Sequence, residues 1–257
     1  MGGSHPSYAD LSHQLGPDQP VYRIDIHKLQ EQRLAAGGRP YTTIEGIAAH
    51  CIEEIKAIQA EGPYFLGGGC EGGVVAFEIA QQLQRRGDRV ALLLVWETRF
   101  PGQRHRKPLY TLLYLLSRLA WLPGYVRRHG VRHSLAGLRK KLGWSTTTHS
   151  ARSPESGVRN RADRYRHIRN VIFRDVIFEP VRRYVPHAYR GRLVFVQARD
   201  RPREYHPTTA GWHRVAMDGI DVLECRGNHF TILTEHLSDF AELVRTCLTN
   251  SQEVRNA

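Results

Sequence analysis

Short apolar runs alternate with amphipathic stretches along most of the chain, the pattern of βα units stacked into a mostly parallel sheet. Pro20 to Ile26 reads as a strand, Thr43 to Ala60 as a helix, and Tyr64 to Leu66 as a second strand that runs into glycines. From Gly73 to Arg86 the apolar residues Val74, Phe77, Ile79, Ala80 and Leu83 fall close to helical spacing, and Gly87 supplies a stop. Arg89 to Trp96 is an almost unbroken apolar run, which predicts a strand buried on both faces, and Glu97 follows at once. After Pro101 the alternation breaks off. Leu109 to Leu122 is rich in Leu and Tyr between basic flanks, Trp144 to Gly157 is rich in Ser and Thr, and Val158 to Tyr184 reads as a helix with arginines on one side. Strands resume at Leu193 to Ala198 and Asp221 to Cys225, with Asp200 just after the first, His229 in the loop after the second, and a last helix at Leu237 to Leu248. The expectation is a single α/β domain over residues 1–257, helices on both faces of the sheet, with a basic helical insert at 101–183 acting as a lid.

At 257 residues, 41% hydrophobic and 24% charged, such a domain can bury a substantial core. Charge changes the picture more. The net charge is +12, yet Arg104 to Arg169 alone holds 16 Lys and Arg against 2 Asp and Glu, which leaves a near-neutral 21 against 23 elsewhere. The insert therefore presents a basic face suited to a polyanion: an acidic carrier protein, coenzyme A, anionic lipid or nucleic acid. The absence of a nucleic-acid-binding motif argues against the last, and a membrane surface suits the apolar helix less well than a place above an acyl chamber. Cys51, Cys70, Cys225 and Cys247 form no CxxC pair and no disulfide framework, so the expectation is a reducing cytoplasm and no metal. Met1 to His5 lacks the features of a signal peptide, and no apolar run reaches membrane-spanning length.

The chemistry gathers at Gly68-Gly69-Cys70-Glu71-Gly72, a nucleophile elbow with cysteine in place of serine, set between a strand and a helix as that turn requires. The turn strains its central residue, and small residues two before and two after, Gly68 and Gly72, are expected to let strand and helix approach. The helix that follows points its amides and partial positive charge at the sulfur, favouring thiolate. His229, in Gly227-Asn228-His229-Phe230, is the candidate to take and return protons. Two carboxylates compete to orient it, Glu97 and Asp200, each at the end of a predicted strand. Cys51, Cys225 and Cys247 read as core residues.

Gly62-Pro63-Tyr64-Phe65-Leu66-Gly67-Gly68, the elbow, and Gly73-Val74-Val75-Ala76-Phe77-Glu78 closely resemble the C-terminal type I thioesterase domains of nonribosomal peptide and polyketide synthases, within the α/β-hydrolase superfamily. Leu11 to Tyr22, Tyr184-Val185-Pro186 with Tyr189-Arg190-Gly191, and Gly227 to Phe230 resemble further segments of that family. The resemblance implies an acyl or peptidyl substrate presented on phosphopantetheine or coenzyme A, an acyl carrier protein as partner, and no other cofactor. It places the acid after the strand that follows the elbow, at Glu97 in preference to Asp200, where the family usually has aspartate. It places the oxyanion hole at the backbone amides of Glu71 and Gly3. It also implies an apolar strand ahead of Gly2-Gly3 that this sequence lacks, which is expected to leave the strand at Pro20 to Ile26 and the one leading to Cys70 unpaired between them. A cysteine nucleophile keeps the acyl group a thioester, so transfer to an amine or hydroxyl, or cyclisation, joins hydrolysis as an expected outcome. The alternative reading is a truncated, non-catalytic homologue that binds an acyl carrier or partner through the basic lid.

Overall fold

The computed structural model describes residues 8–101, 177–200, 209, 211–229 and 231–256. The chain divides into two compact units, Met1–Gly102 with Arg166–Ala257, and Gln103–Tyr165; every described residue belongs to the first. The expected helix at Leu109 to Leu122, the Ser/Thr-rich loop, most of the helix at Val158 to Tyr184, and Gly3 lie outside the described residues.

Among the described residues three helices, α1 (Tyr8–Leu15), α2 (Ile26–Ala35) and α3 (Ile44–Ile58), precede strand β1 (Tyr64–Gly69). Helix α4 (Glu71–Arg85) leads to β2 (Val90–Trp96), and a short α5 (Glu179–Arg183) precedes β3 (Leu193–Ala198), β4 (Ile220–Cys225) and a final α6 (Leu237–Asn256). The four strands run parallel in the order β1-β2-β3-β4.

Alternation along the central strands splits the core into two layers. Leu92, Leu94 and Trp96 of β2, with Val196 and Ala198 of β3, pack with Leu11 of α1 and Leu237, Phe240 and Leu248 of α6. Leu93, Val95, Leu193 and Phe195 pack with Phe77 and Ala80 of α4 and with Trp212. On that side Ile47, Cys51 and Ile52 of α3 meet Val74, Val75, Ile79 and Leu83 of α4. Helices thus cover both faces, as a parallel sheet with apolar strands demands. Helix α3 shows how the sequence achieves this. Thr43 caps it by accepting from the Gly46 amide at 3.1 Å, and its buried residues Ile44, Ile47, Ala48, Cys51 and Ile52 form one helical stripe. Each fully buried Ile there contributes about 1.5–3 kcal/mol.

Two segments singled out in the sequence meet in the core. The Tyr184 hydroxyl donates to the buried Glu78 carboxylate of α4 at 2.5 Å and accepts from the Gln81 amide at 3.0 Å. Burial, and then the neighbouring Glu78 carboxylate, pushes the Tyr184 phenol far up. A Cβ on Gly191 would meet the ring of Tyr189, so the Tyr189-Arg190-Gly191 turn needs glycine for close approach.

One predicted element is absent. Residues 20–25 form no ladder, and Ile26 begins α2 instead. Asp25 caps α2 by accepting from the amides of His27 and Lys28, each at 3.1 Å, which commits the end of the segment to a helix start. Ile24 and Ile26 still pack partly against the α3 and α4 core, which accounts for the apolar pattern without a strand. Among the described residues β1 pairs only with β2. Helices α1 and α2 were not anticipated from the pattern. Among the described residues no helix is long and apolar enough to cross a membrane.

Candidate functional site

Among the described residues only two other than glycine have positive φ, Cys70 at 53° and Glu97 at 49°. Each is the residue immediately after a strand, Cys70 after β1 and Glu97 after β2, on neighbouring strands of the sheet. Such conformations cost about 1–3 kcal/mol each, so packing elsewhere must enforce them. The Cys70 amide donates to the Trp96 carbonyl at 3.1 Å, and the Glu97 amide to the Val196 carbonyl at 3.1 Å, so both are anchored on the neighbouring strand.

Cys70 occupies the N-cap position of α4 yet makes no capping hydrogen bond, which leaves its sulfur available to another partner. The backbone crossing at the elbow is close. A Cβ on Gly68 would lie 2.6 Å from the carbonyl carbon of Gly72 and 2.8 Å from the Gly73 nitrogen, and one on Gly73 would strike the Thr98 side chain. A Cβ on Gly72 meets no described atom within 4 Å. A Cβ on Gly69 would strike the Trp96 indole, so the demand for small residues falls on Gly68, Gly69 and Gly73 rather than on Gly68 and Gly72, because at Gly72 it is the backbone that is crowded. Thr98, fully buried, donates to the Trp96 carbonyl at 3.0 Å and accepts through its own carbonyl from the Trp212 indole at 3.2 Å.

The His229 loop is held by hydrogen bonds. The Asp200 amide donates to the Gly227 carbonyl at 2.8 Å, and the Gly227 amide returns a bond to Asp200 Oδ2 at 3.1 Å. One residue on, the Asn228 amide donates to Thr231 Oγ1 at 2.8 Å, and the Thr231 amide to Asn228 Oδ1 at 3.3 Å. Gly227 has φ 91°, and a Cβ there would collide with His236 and Thr231.

These constraints bring three of the residues predicted from sequence together. Cys70 Sγ lies 3.2 Å from His229 Nε2, and His229 Nδ1 lies 3.8 Å from Glu97 Oε2. The Glu97 side chain is 6% exposed and that of His229 is 43% exposed, so the ion pair has one buried and one accessible partner. The Cys70 sulfur first, and then the Glu97 carboxylate, push the imidazole up to about 10 against the opposing effect of burial. Glu97 accommodates its extra methylene by resting its other oxygen, Oε1, on the Ala198 amide of β3 at 2.8 Å. Asp200 is engaged with Gly227 rather than with the imidazole. Glu71, the first residue of α4, follows Cys70, and Gly3 lies outside the described residues.

Tyr8 is a neighbour that the sequence did not disclose. Its ring packs on Trp96 with centroids 6.4 Å apart, and the Arg23 guanidinium lies 5.3 Å from its centre. Burial and then the Cys70 sulfur hold its phenol above the ordinary value, so Tyr8 lies within the electrostatic reach of the elbow. The remaining cysteines are free and buried, and burial raises their thiols, Cys51 to about 12 and Cys225 to about 11. Among the described residues no group of three or more His, Cys, Asp or Glu could hold a metal ion.

Residues 1–248 match the family described as Thioesterase domain. The chain belongs to that family. This thioesterase domain is 39% identical over 92 residues to a probable non-canonical nonribosomal peptide synthetase, CymA, of Salinispora arenicola, a match covering 36% of this chain and 1% of that protein. It is 26% identical over 267 residues to the nonribosomal peptide synthetase atqA of Aspergillus terreus, covering 94% of this chain and 26% of that protein. The thioesterase domain thus spans about a quarter or less of these relatives' length. Among solved structures, the NocB thioesterase domain in covalent complex with a fluorophosphonate nocardicin G analog is 27% identical, with a TM-score of 0.51, covering 81% of this chain and 76% of that one. The α/β fold with a parallel central sheet and helices on both faces is that of these thioesterases.

Proposed function

We propose that this domain releases or transfers an acyl or peptidyl group from a phosphopantetheine thioester through an acyl-enzyme on Cys70, in secondary-metabolite biosynthesis. The observation that carries the proposal is the approach of Cys70 Sγ to His229 Nε2 at 3.2 Å, with Glu97 behind the imidazole and both flanking residues held in strained backbone. The raised imidazole beside the sulfur supports His229 as the group that takes the Cys70 proton.

The thiolate attacks the thioester carbonyl, and the oxyanion forms at the start of α4, where the Glu71 amide, with that of Gly3, is assigned to receive it. Collapse expels the pantetheine sulfur, which takes the proton from His229, leaving an acyl group on Cys70 and a neutral imidazole. His229 then removes a proton from water, an amine or a hydroxyl as that group attacks. Cys70 leaves as thiolate and the ion pair is restored. Glu97 stabilises the imidazolium and fixes its orientation. Because the intermediate is itself a thioester, it remains activated toward amines and hydroxyls, so transfer and cyclisation compete with hydrolysis. The carrier protein is the proposed partner, matching the synthetases among the relatives, and the cytoplasm is the proposed compartment.

Intact-mass spectrometry after incubation with acyl-pantetheine thioesters tests this reading. The expected result is an acyl adduct on Cys70 that is absent from Cys70→Ala and that discharges to acid, ester or amide. No adduct with any acyl donor would overturn it in favour of a non-catalytic homologue.

A further inference from the structure

We infer that Asp200 is a positioning residue for His229, acting through a two-point clamp on Gly227 and not as the carboxylate of the catalytic pair. The inference rests on the proposed Cys70–His229 chemistry and deepens it.

Asp200 and Gly227 exchange hydrogen bonds, amide to carbonyl at 2.8 Å and Gly227 amide to Oδ2 at 3.1 Å. The Arg199 amide, donating to the Cys225 carbonyl at 2.8 Å, carries the β3–β4 ladder past its last strand pair, Ala198 with Cys225, and the Asp200 amide bond breaks the alternation that a further ladder step would need. The second differs in kind, since the Gly227 amide is received by a side-chain oxygen instead of a backbone carbonyl. The ladder must end here: Gly227, at φ 91°, turns the chain away from β4, and from that turn only Asn228 separates His229. Removing the carboxylate leaves the Gly227 amide without its acceptor at the point where the direction of the loop is set. On the far side the Asn228 and Thr231 exchange fixes the chain again, so His229 stands between two short, independently tied segments. Glu97 meanwhile faces the imidazole from β2 and needs no help from Asp200 as a counter-charge.

The clamp needs an acceptor of the right shape, not a negative charge, which separates it from a triad acid. The experiment compares Asp200→Asn, Asp200→Ala and Glu97→Gln in the whole chain. It measures kcat and KM with an acyl-pantetheine thioester, and the pH profile of Cys70 alkylation by iodoacetamide. Asp200→Asn keeps an oxygen for the Gly227 amide and is expected to hold kcat within about 3-fold of the parent, whereas Asp200→Ala, by displacing the imidazole, should lose about 10- to 100-fold in kcat with little change in KM. Glu97→Gln, which keeps the shape and loses the charge, should shift the alkylation profile, and Asp200→Asn should not. If Asp200→Asn falls as far as Asp200→Ala and shifts the profile, the carboxylate acts by its charge and the clamp is wrong. If both Asp200 variants match the parent in kcat and alkylation profile, the clamp is equally wrong. Should the parent turn over no thioester, the proposed function fails, while the alkylation profiles of the same variants still report whether Asp200 holds the histidine against the sulfur.

Discussion

The elbow that carries Cys70 and the loop that carries His229 are held by different forces. At the elbow the constraint is steric: Gly68 and Gly73 let the strand and helix backbones approach closely, and Cys70 itself makes no capping bond. At the loop the constraint is mainly a set of hydrogen bonds through the side chains of Asp200, Asn228 and Thr231, with close packing at Gly227 as well. Steric exclusion fails steeply when an atom is added, whereas a hydrogen-bonded turn loses its precision gradually as acceptors are removed. Cys70 is thus placed by what is absent from the backbone, and His229 by what its neighbours accept.

Several substitutions break or sharpen that contrast. The largest effect is expected from Cys70→Ala, which should reduce acyl transfer by roughly 10⁴-fold or more in steady-state assays and abolish the mass adduct, with the fold intact by circular dichroism. Glu97→Gln comes next, with an expected loss of roughly 10² to 10⁴-fold in kcat, because the Ala198 amide keeps its acceptor while the imidazolium loses its counter-charge. At the elbow, Gly68→Ala and Gly73→Ala should each destabilise the domain by about 1–3 kcal/mol in urea titrations, since the added carbon meets fixed backbone or a buried threonine.

The pH dependence has a defined sign. The folded imidazole is raised from 6.5 to about 10, so its contribution to stability is complete below pH 6.5 and lost as pH rises through about 10. The His229 ring signals in NMR should therefore titrate well above 6.5. In Cys70→Ala they should move back toward 6.5, because the sulfur is the larger of the two causes; an unchanged midpoint would argue against the ion pair. The smallest effect is expected at Gly72→Ala, which adds its carbon where no described atom lies within 4 Å and should change the urea midpoint by less than about 1 kcal/mol in equivalent stability. A large loss there would show that the elbow is crowded on that side as well.

The sequence by itself determined the elements whose signal is local. The strand at Leu193–Ala198 appears with the bounds its apolar run predicts, and the helix after the elbow runs from Glu71 to Arg85 where Gly73 to Arg86 was expected. The candidacy of Cys70, His229 and Glu97 was legible from the elbow, the loop order and the family resemblance. Only the tertiary structure decided what depends on a neighbour. Residues 20–25 carry a strand-like pattern but have no ladder among the described residues, and Asp25 spends its side chain on a helix cap. The need for glycine at position 73 arises from Thr98, which lies 25 positions further on and is fully buried. Which of Glu97 and Asp200 lies against the imidazole goes with the backbone amide each carboxylate meets, Ala198 for Glu97 and Gly227 for Asp200. Periodicity reports the faces of an element, but a hydrogen-bond partner or a close approach belongs to two distant segments at once. Such information exists only when the chain is folded.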